Sequence, residues 1–179
     1  MAGNDNPPAI AGRLRHKVIG NGLRELDRFL SVLIDEVAML MPPDDIDAVR
    51  VGRQRNTANK LRTLHTALGR SSPDHDRLRA LGRSRDCLFY CDGVVTRSDR
   101  RHGTMMTIGW PCGENQVGGL IAVGERLVIT PADLASVCGF YDRLGGDLVG
   151  VHPVPGRARL PLAPMSPISA DANVACDGT

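Results

Sequence analysis

The residues of this chain that point most clearly to chemistry lie in the segment 84–93, around an arginine. The spacing of Leu78, Leu81 and Leu88 predicts one apolar face of a helix, and Arg85 falls on that same face. A buried charge without a partner costs several kcal/mol or more. Arg85 therefore needs a carboxylate, a subunit interface or an anionic ligand beside it.

Basic side chains are concentrated in the middle of the 179-residue chain. Residues 50–101 carry 13 basic and 5 acidic side chains, residues 1–49 carry 5 and 8, and residues 102–179 carry 4 and 7. A concentrated positive region favours partners that bear phosphate, although an arginine-rich surface that pairs with the acidic thirds of the same molecule explains the pattern equally well. The residues that we expect to contact phosphates are Arg53, Arg55, Arg62, Arg97, Arg100 and Arg101.

Composition and periodicity predict an α+β protein that is mostly α. Only 3% of the residues are aromatic, which favours packed helices over an aromatic-rich sandwich. Apolar residues recur every three or four positions from Leu23 to Leu40. Residues 10–18 either extend this helix or are separated from it by a break, which Gly20 and Gly22 favour. Two more helices are expected over 57–68 and from Ser72 to about Cys91, and Gly82 in the latter predicts a close crossing or a kink.

The period changes after residue 103. We expect three antiparallel strands, over residues 105–110, 120–123 and 126–129, of which the last two form a hairpin. Thr130-Pro131-Ala132-Asp133 then opens a fourth helix that should end at Gly145-Gly146. The predicted organisation is a flexible N-terminal segment (1–20), an N-terminal helical bundle (21–101), a small antiparallel β-sheet with a C-terminal helix packed on the bundle (102–150), and an irregular tail (151–179).

The five cysteines form no Cys-x-x-Cys pair, so we expect neither a disulfide framework nor a zinc site, and no other cofactor. Cys87 and Cys91 are interpreted as small buried apolar residues. No apolar run approaches the roughly 18 residues that span a bilayer, and no signal-peptide core is visible. A cytoplasmic location without membrane contact is the expectation.

The pattern Arg85-Asp86-x-x-x-Tyr90 near a helix end, preceded by two other helices, resembles the motif of the HEPN superfamily of helical ribonucleases. In that family an arginine is usually followed by a polar residue such as asparagine, and a histidine comes a few residues later. Arg85 matches the arginine, Asp86 stands at the asparagine position, and Tyr90 stands where histidine is expected. The resemblance covers residues 21–95.

The resemblance implies a homodimer in which two such motifs meet at the third helix and cleave RNA without a metal. Arg85 would then stabilise the charge of the phosphorane, and Tyr90 would orient the phosphate or donate a proton. His102, or His65, would replace the missing histidine. The resemblance also implies a bacterial toxin-type protein with an antitoxin-like partner.

Two other interpretations remain open from the residues alone. Arg85 pairs with Asp35 or Glu36 of the first helix, Tyr90 merely packs at the helix end, and the protein is a noncatalytic interaction protein. Alternatively, the basic residues bind nucleic acid without reading its sequence.

Overall fold

The computed structural model describes residues 7–42, 46–100, 103–110 and 119–150. Within these ranges the chain is mostly helical with one small antiparallel sheet, so the predicted fold class is confirmed. The elements in chain order are α1 (Pro7–Leu40), α2 (Ala48–Gly52), α3 (Thr57–Ala67), α4 (His75–Tyr90), β1 (Met105–Thr107), β2 (Leu120–Ala122) and α5 (Pro131–Val149). None of the described helices combines the length and the apolar character that crossing a membrane would require.

The first helix is longer than the sequence predicts. It runs without interruption through Gly20 and Gly22, so the expected break is wrong and residues 7–20, assigned above to a flexible segment, belong to α1. A Cβ atom at Gly20 would lie 3.0 Å from the backbone nitrogen of Phe89. Gly20 therefore permits the close crossing of α1 and α4, whereas a Cβ atom at Gly82, where a crossing or kink was expected, would meet nothing within 4 Å.

Helix α3, which was predicted over residues 57–68, matches its prediction to within one residue. The side chain of Asn56 caps its N-terminus by accepting a hydrogen bond from the backbone nitrogen of Asn59 at 2.8 Å, and the predicted apolar residues Ala58, Leu61 and Leu64 are buried.

The helix that carries Arg85 begins at His75, three residues later than the predicted cap at Ser72. Asp74 precedes it but makes no side-chain cap, because Arg143 of α5 binds its carboxylate at 2.7 Å. A contact between distant elements thus replaces the local cap that the sequence suggested.

The predicted three-stranded sheet is wrong in its third strand. β1 and β2 pair in antiparallel fashion with Met106 opposite Ile121, but the chain after the turn at Gly124 does not fold back on β2. It runs beside the segment that leaves α4, where Val95 donates to the carbonyl of Glu125 and Leu127 to that of Gly93, both at 2.8 Å.

The last helix starts with the predicted capping box. The Thr130 hydroxyl and the Asp133 carboxylate each bond to the backbone nitrogen of the other residue. The helix continues past Gly145-Gly146 to Val149, because the buried side chains of Leu144 and Leu148 keep one apolar face against the core. The predicted irregular tail lies outside the described residues.

The apolar face of α4 is covered within the same chain. Leu78, Leu81 and Leu88 are each no more than 2% exposed, and α4 packs against α1 and α3. This face therefore needs no second subunit to bury it, which removes the reason to place a dimer interface there.

Candidate nucleic-acid interface

Arg85 is paired with carboxylates of its own chain. Its Nη1 atom lies 2.6 Å from Oδ2 of Asp27 in α1, and its Nη2 atom lies 2.9 Å from Oδ1 of Asp86. The expected ion pair with the first helix is thus present, but not with Asp35 or Glu36. Asp35 pairs instead with Lys60 of α3.

The ion pair is largely removed from solvent and next to a buried phenol. Burial lowers the pKa of Arg85, but the carboxylates of Asp27 and Asp86 outweigh that effect and raise the pKa above its usual value. Burial, followed by the charge of Asp27, raises the pKa of Tyr141 in α5. Arg85 is therefore a fixed cation that connects α4 to α1, and Tyr141 stays a neutral phenol beside it.

Tyr90 ends α4 with its ring in solvent. Its residue surface is 68% exposed, and its ring meets that of Phe89 edge to face at 4.9 Å between centroids. The guanidinium of Arg24 lies over the other ring of the pair, 5.8 Å from the Phe89 centroid. Tyr90 thus offers an exposed aromatic ring, packed against Phe89, on which a flat ligand can stack.

Two cavities open on either side of Tyr90, and both are also lined by Asp86. The first, which we call the α1–α4 groove, has a volume of about 520 Å³; its lining includes Arg24, Asp27, Arg28, Ser31, Val32, Arg55, Thr57, Arg85 and Phe89. The second, which we call the loop cavity, has a volume of about 490 Å³; its lining includes Arg83, Cys87, Cys91, Thr96, Arg97, Ser98 and Met106.

The α1–α4 groove has an excess of positive charge. Its two carboxylates, Asp27 and Asp86, are both engaged by Arg85. Arg28 makes one exposed contact with Glu25 at 3.9 Å. Among the residues that the structure describes, Arg24 and Arg55 make no ion pair. The groove thus offers three exposed guanidinium groups to an anion.

The loop cavity combines an apolar floor with a cationic wall. Met106 and Cys87 are buried at its base, and burial raises the pKa of the Cys87 thiol to about 11, with the Cys91 side chain adding to the shift. Cys87 is therefore a protonated, inert thiol at neutral pH. Arg83 is held by Asp99 at 2.9 Å, and the side chain of Arg97 is exposed.

The structure unites three of the predicted catalytic residues and divides the predicted phosphate contacts. Arg85, Asp86 and Tyr90 all line the α1–α4 groove, with Arg55 beside them, and Arg97 lies on the other side of Tyr90 in the loop cavity. Arg62 lines a separate cavity of about 420 Å³ with Arg50. Arg53 and Arg100 are exposed outside all three cavities, and Arg101 and His102 lie outside the described residues.

No histidine within the described ranges lines the groove. His65 lies at the end of α3 in another cavity, with Arg70, Asp74 and Arg143. Burial, and then the charge of Arg70, lowers the pKa of His65. His65 therefore does not replace the missing histidine, and the groove has no imidazole base from this part of the chain.

Asp27 and Arg24 also shape the groove, and neither was predicted as a site residue. Asp27 follows Leu23 by four positions and precedes Leu30 by three, so it lies on the apolar face of α1. An acid on one apolar face and an arginine on another are a pair that the sequence signals. For Arg24 the sequence holds no such signal, because its contact with Phe89 depends on how the two helices cross.

Comparison with known proteins adds no family. The chain matches no family model, no curated protein and no solved structure. The resemblance of the α4 motif to HEPN proteins therefore stays a prediction.

Proposed function

We propose that this protein binds single-stranded RNA across the end of α4, with Tyr90 as the platform for a base. The observation that carries the proposal is the exposed Tyr90 ring between two cavities, each with arginines in its wall. Sequence-tolerant binding of single strands combines these two parts, a cationic path for the backbone and an aromatic side chain for the bases.

The arginines on both sides of Tyr90 suit a strand that passes over the ring. Arg24, Arg28 and Arg55 would contact phosphates on the α1 side, and Arg97 on the loop side. Stacking on an exposed ring requires an unpaired base, which a duplex does not offer. The resemblance of the Arg85 motif to ribonucleases favours RNA over DNA.

The proposal is binding without cleavage. Cleavage needs a proton acceptor for the ribose 2′-hydroxyl and a cation that meets the charge of the transition state. Arg85 already holds two carboxylates, and no described histidine lines the groove. The same residues that would perform HEPN-type chemistry here connect α1 to α4.

Fluorescence anisotropy with a labelled single-stranded RNA of mixed sequence tests the proposal. Loss of one stacked base costs about 1–3 kcal/mol, so we expect Tyr90→Ala to weaken binding about 5-fold to 150-fold. Tyr90→Phe, which keeps the ring, should bind within about 2-fold of the parent protein by the same argument. Arg62→Ala is the matched control for Arg55→Ala, because both arginines are exposed but only Arg55 lines the groove.

A duplex of the same sequence should bind more weakly than the single strand. Equal affinity for the two RNAs, or equal losses for Arg55→Ala and Arg62→Ala, would contradict the proposed site. Incubation of the RNA with protein in EDTA tests the other part: cleavage that Arg85→Lys abolishes would show a ribonuclease and overturn binding without cleavage.

A further inference from the structure

A second surface of the molecule is apolar, and the proposed function gives no reason for its exposed apolar side chains. It is a stripe on the side of α1 that faces away from the core, and we call it the outer stripe. Its apolar members are between 52% and 78% exposed and comprise Leu14, Val18, Phe29, Val32, Met39 and Leu40. They recur at the helical spacing and alternate with Gly22, Glu25 and Glu36.

Exposure of six large apolar side chains in one line is unusual for a surface that meets only water. The stripe extends from Leu14 to Leu40, which is about 39 Å along the helix axis. The core of the protein lies on the other side of α1, where Leu23, Leu30 and Ile34 are no more than 4% exposed. α1 therefore has two apolar faces, and the described residues cover only one.

The outer stripe is complementary to a second copy of itself turned by half a rotation. An antiparallel pair centred between residues 26 and 27 places Leu14 opposite Met39 of the other copy. In the same register Gly22, whose outer side is open, lies beside Val32 of the other copy. The small residue leaves room for the branched one, as in the packing of a knob into a hole.

The charges on the stripe match in that register. Lys17 lies opposite Glu36 of the other copy, and Glu25 lies opposite Arg28. A parallel pair would instead bring each of these charges against its own copy. Charge complementarity therefore selects both a second copy as the occupant and the antiparallel orientation.

We propose that this protein forms a homodimer in which the outer stripes of two α1 helices pack antiparallel, with the two-fold axis near residues 26 and 27. This interface differs from the one that the sequence analysis expected at the helix of Arg85. It shares Arg28 and Val32 with the wall of the α1–α4 groove, so a dimer and a bound RNA strand would compete for these two residues. The dimer is tested on the protein without RNA, so its failure and that of the RNA-binding proposal are distinguishable.

Sedimentation equilibrium of the full chain tests the interface. Phe29→Asp removes the largest apolar side chain near the middle of the stripe and places a carboxylate in the interface, so it should raise the dimer dissociation constant at least about 30-fold, because the change occurs twice in a symmetric interface. Val128→Asp is the matched control, since Val128 is as exposed as Phe29 but lies outside α1. Circular dichroism shows whether each variant keeps its helices.

A charge exchange tests the orientation. Lys17→Glu and Glu36→Lys should each raise the dissociation constant about 3-fold to 30-fold, since each turns two exposed pairs into repulsions. In an antiparallel pair the variant with both changes should regain the dissociation constant of the parent protein. In a parallel pair neither single change would alter the dissociation constant, because each charge would still meet its own copy. A monomeric parent protein, equal effects of Phe29→Asp and Val128→Asp, or a double exchange that does not restore dimerisation would overturn the proposal.

Discussion

At the level of single residues, the two carboxylates that pair with Arg85, those of Asp27 and Asp86, differ in how much they depend on it. Arg85 keeps Asp86 if Asp27 is removed. If Arg85 is removed, Asp27 loses the one cation that pairs with it among the residues that the structure describes, and it stays beside Tyr141. The cost of an unpaired buried charge therefore falls on Asp27. Arg85 thus acts first on stability, and an activity assay on Arg85→Ala alone would confuse folding with function.

We predict that Arg85→Ala destabilises the protein by about 3 kcal/mol and Asp27→Ala by about 1–2 kcal/mol, because only the former leaves a largely buried carboxylate without a cation. Urea unfolding measures both. The variant with both changes should cost less than the two single effects together, since the groups interact directly. Additive effects would show that the ion pair contributes nothing.

The cysteines allow a test that separates a buried thiol from an exposed one. Cys87 is buried with its pKa raised to about 11, and Cys138 is exposed on α5. At pH 8 only about one Cys87 in a thousand would be thiolate, so Cys138 should react with a maleimide far faster. Peptide mapping by mass spectrometry after a short exposure measures the labelling at each cysteine, and urea should bring Cys87 to the rate of Cys138. Rapid labelling of Cys87 in the native protein would contradict its burial.

At the level of elements, local signals predicted what local contacts determine. The cap at Asn56 and the capping box at Thr130 are formed within a few residues of sequence, and the helices after them begin where expected. The path of residues 125–127 depends on pairing with residues 93–95, across about thirty positions, and a strand pattern does not name its partner. The same applies to Arg85: the sequence showed that it needs a carboxylate, a subunit interface or an anionic ligand, but which of these it meets, and which acid of α1, depends on how the helices cross.

Gly20 and Gly82 show why the predicted helix break at Gly20 was wrong. Gly20 lies at the crossing of α1 and α4, and an added Cβ atom would press on the backbone of Phe89 at 3.0 Å. Gly82 faces open space. A glycine in a helical pattern indicates either that the helix ends or is weak there, or that another backbone approaches closely. The sequence alone does not distinguish these two cases.

We therefore predict opposite effects for the same substitution. Gly20→Ala should destabilise the protein by about 1 kcal/mol. Displacing the backbone of Phe89 to make room for the added Cβ atom costs more free energy than the higher helix propensity of alanine returns. Gly82→Ala should stabilise it by up to about 1 kcal/mol. Thermal or urea unfolding of the two variants under the same conditions measures the difference. Stabilisation by both would mean that α1 and α4 do not cross closely at Gly20.

At the level of the whole molecule, the two interpretations of the basic middle region each describe some of its arginines. Arg77 donates to the carbonyl of Gly109 and to Ser136, and Arg83 and Arg85 pair with acids, so these side chains serve the fold. Arg55 and Arg97 stay exposed at the cavities around Tyr90. The net charge of a third of the chain counts both kinds alike, and it omits Arg24 and Arg28, which α1 brings to the same groove.

The distinction between arginines that stabilise the fold and arginines that line the groove predicts how RNA affinity responds to salt. For single strands, the logarithm of the binding constant falls with the logarithm of the salt concentration by about 0.7 for each phosphate that a cation neutralises. Arg55→Ala should therefore lower the slope by about 0.7, and a second change, Arg24→Ala, by a similar amount. Arg62→Ala should leave the slope unaltered, because Arg62 lies in another cavity. Tyr90→Ala should weaken binding at every salt concentration with the slope preserved, since stacking releases no counterion. Anisotropy titrations over a series of salt concentrations measure all four variants, and a slope that falls equally for Arg55→Ala and Arg62→Ala would assign RNA binding to the diffuse charge of the surface instead of the groove.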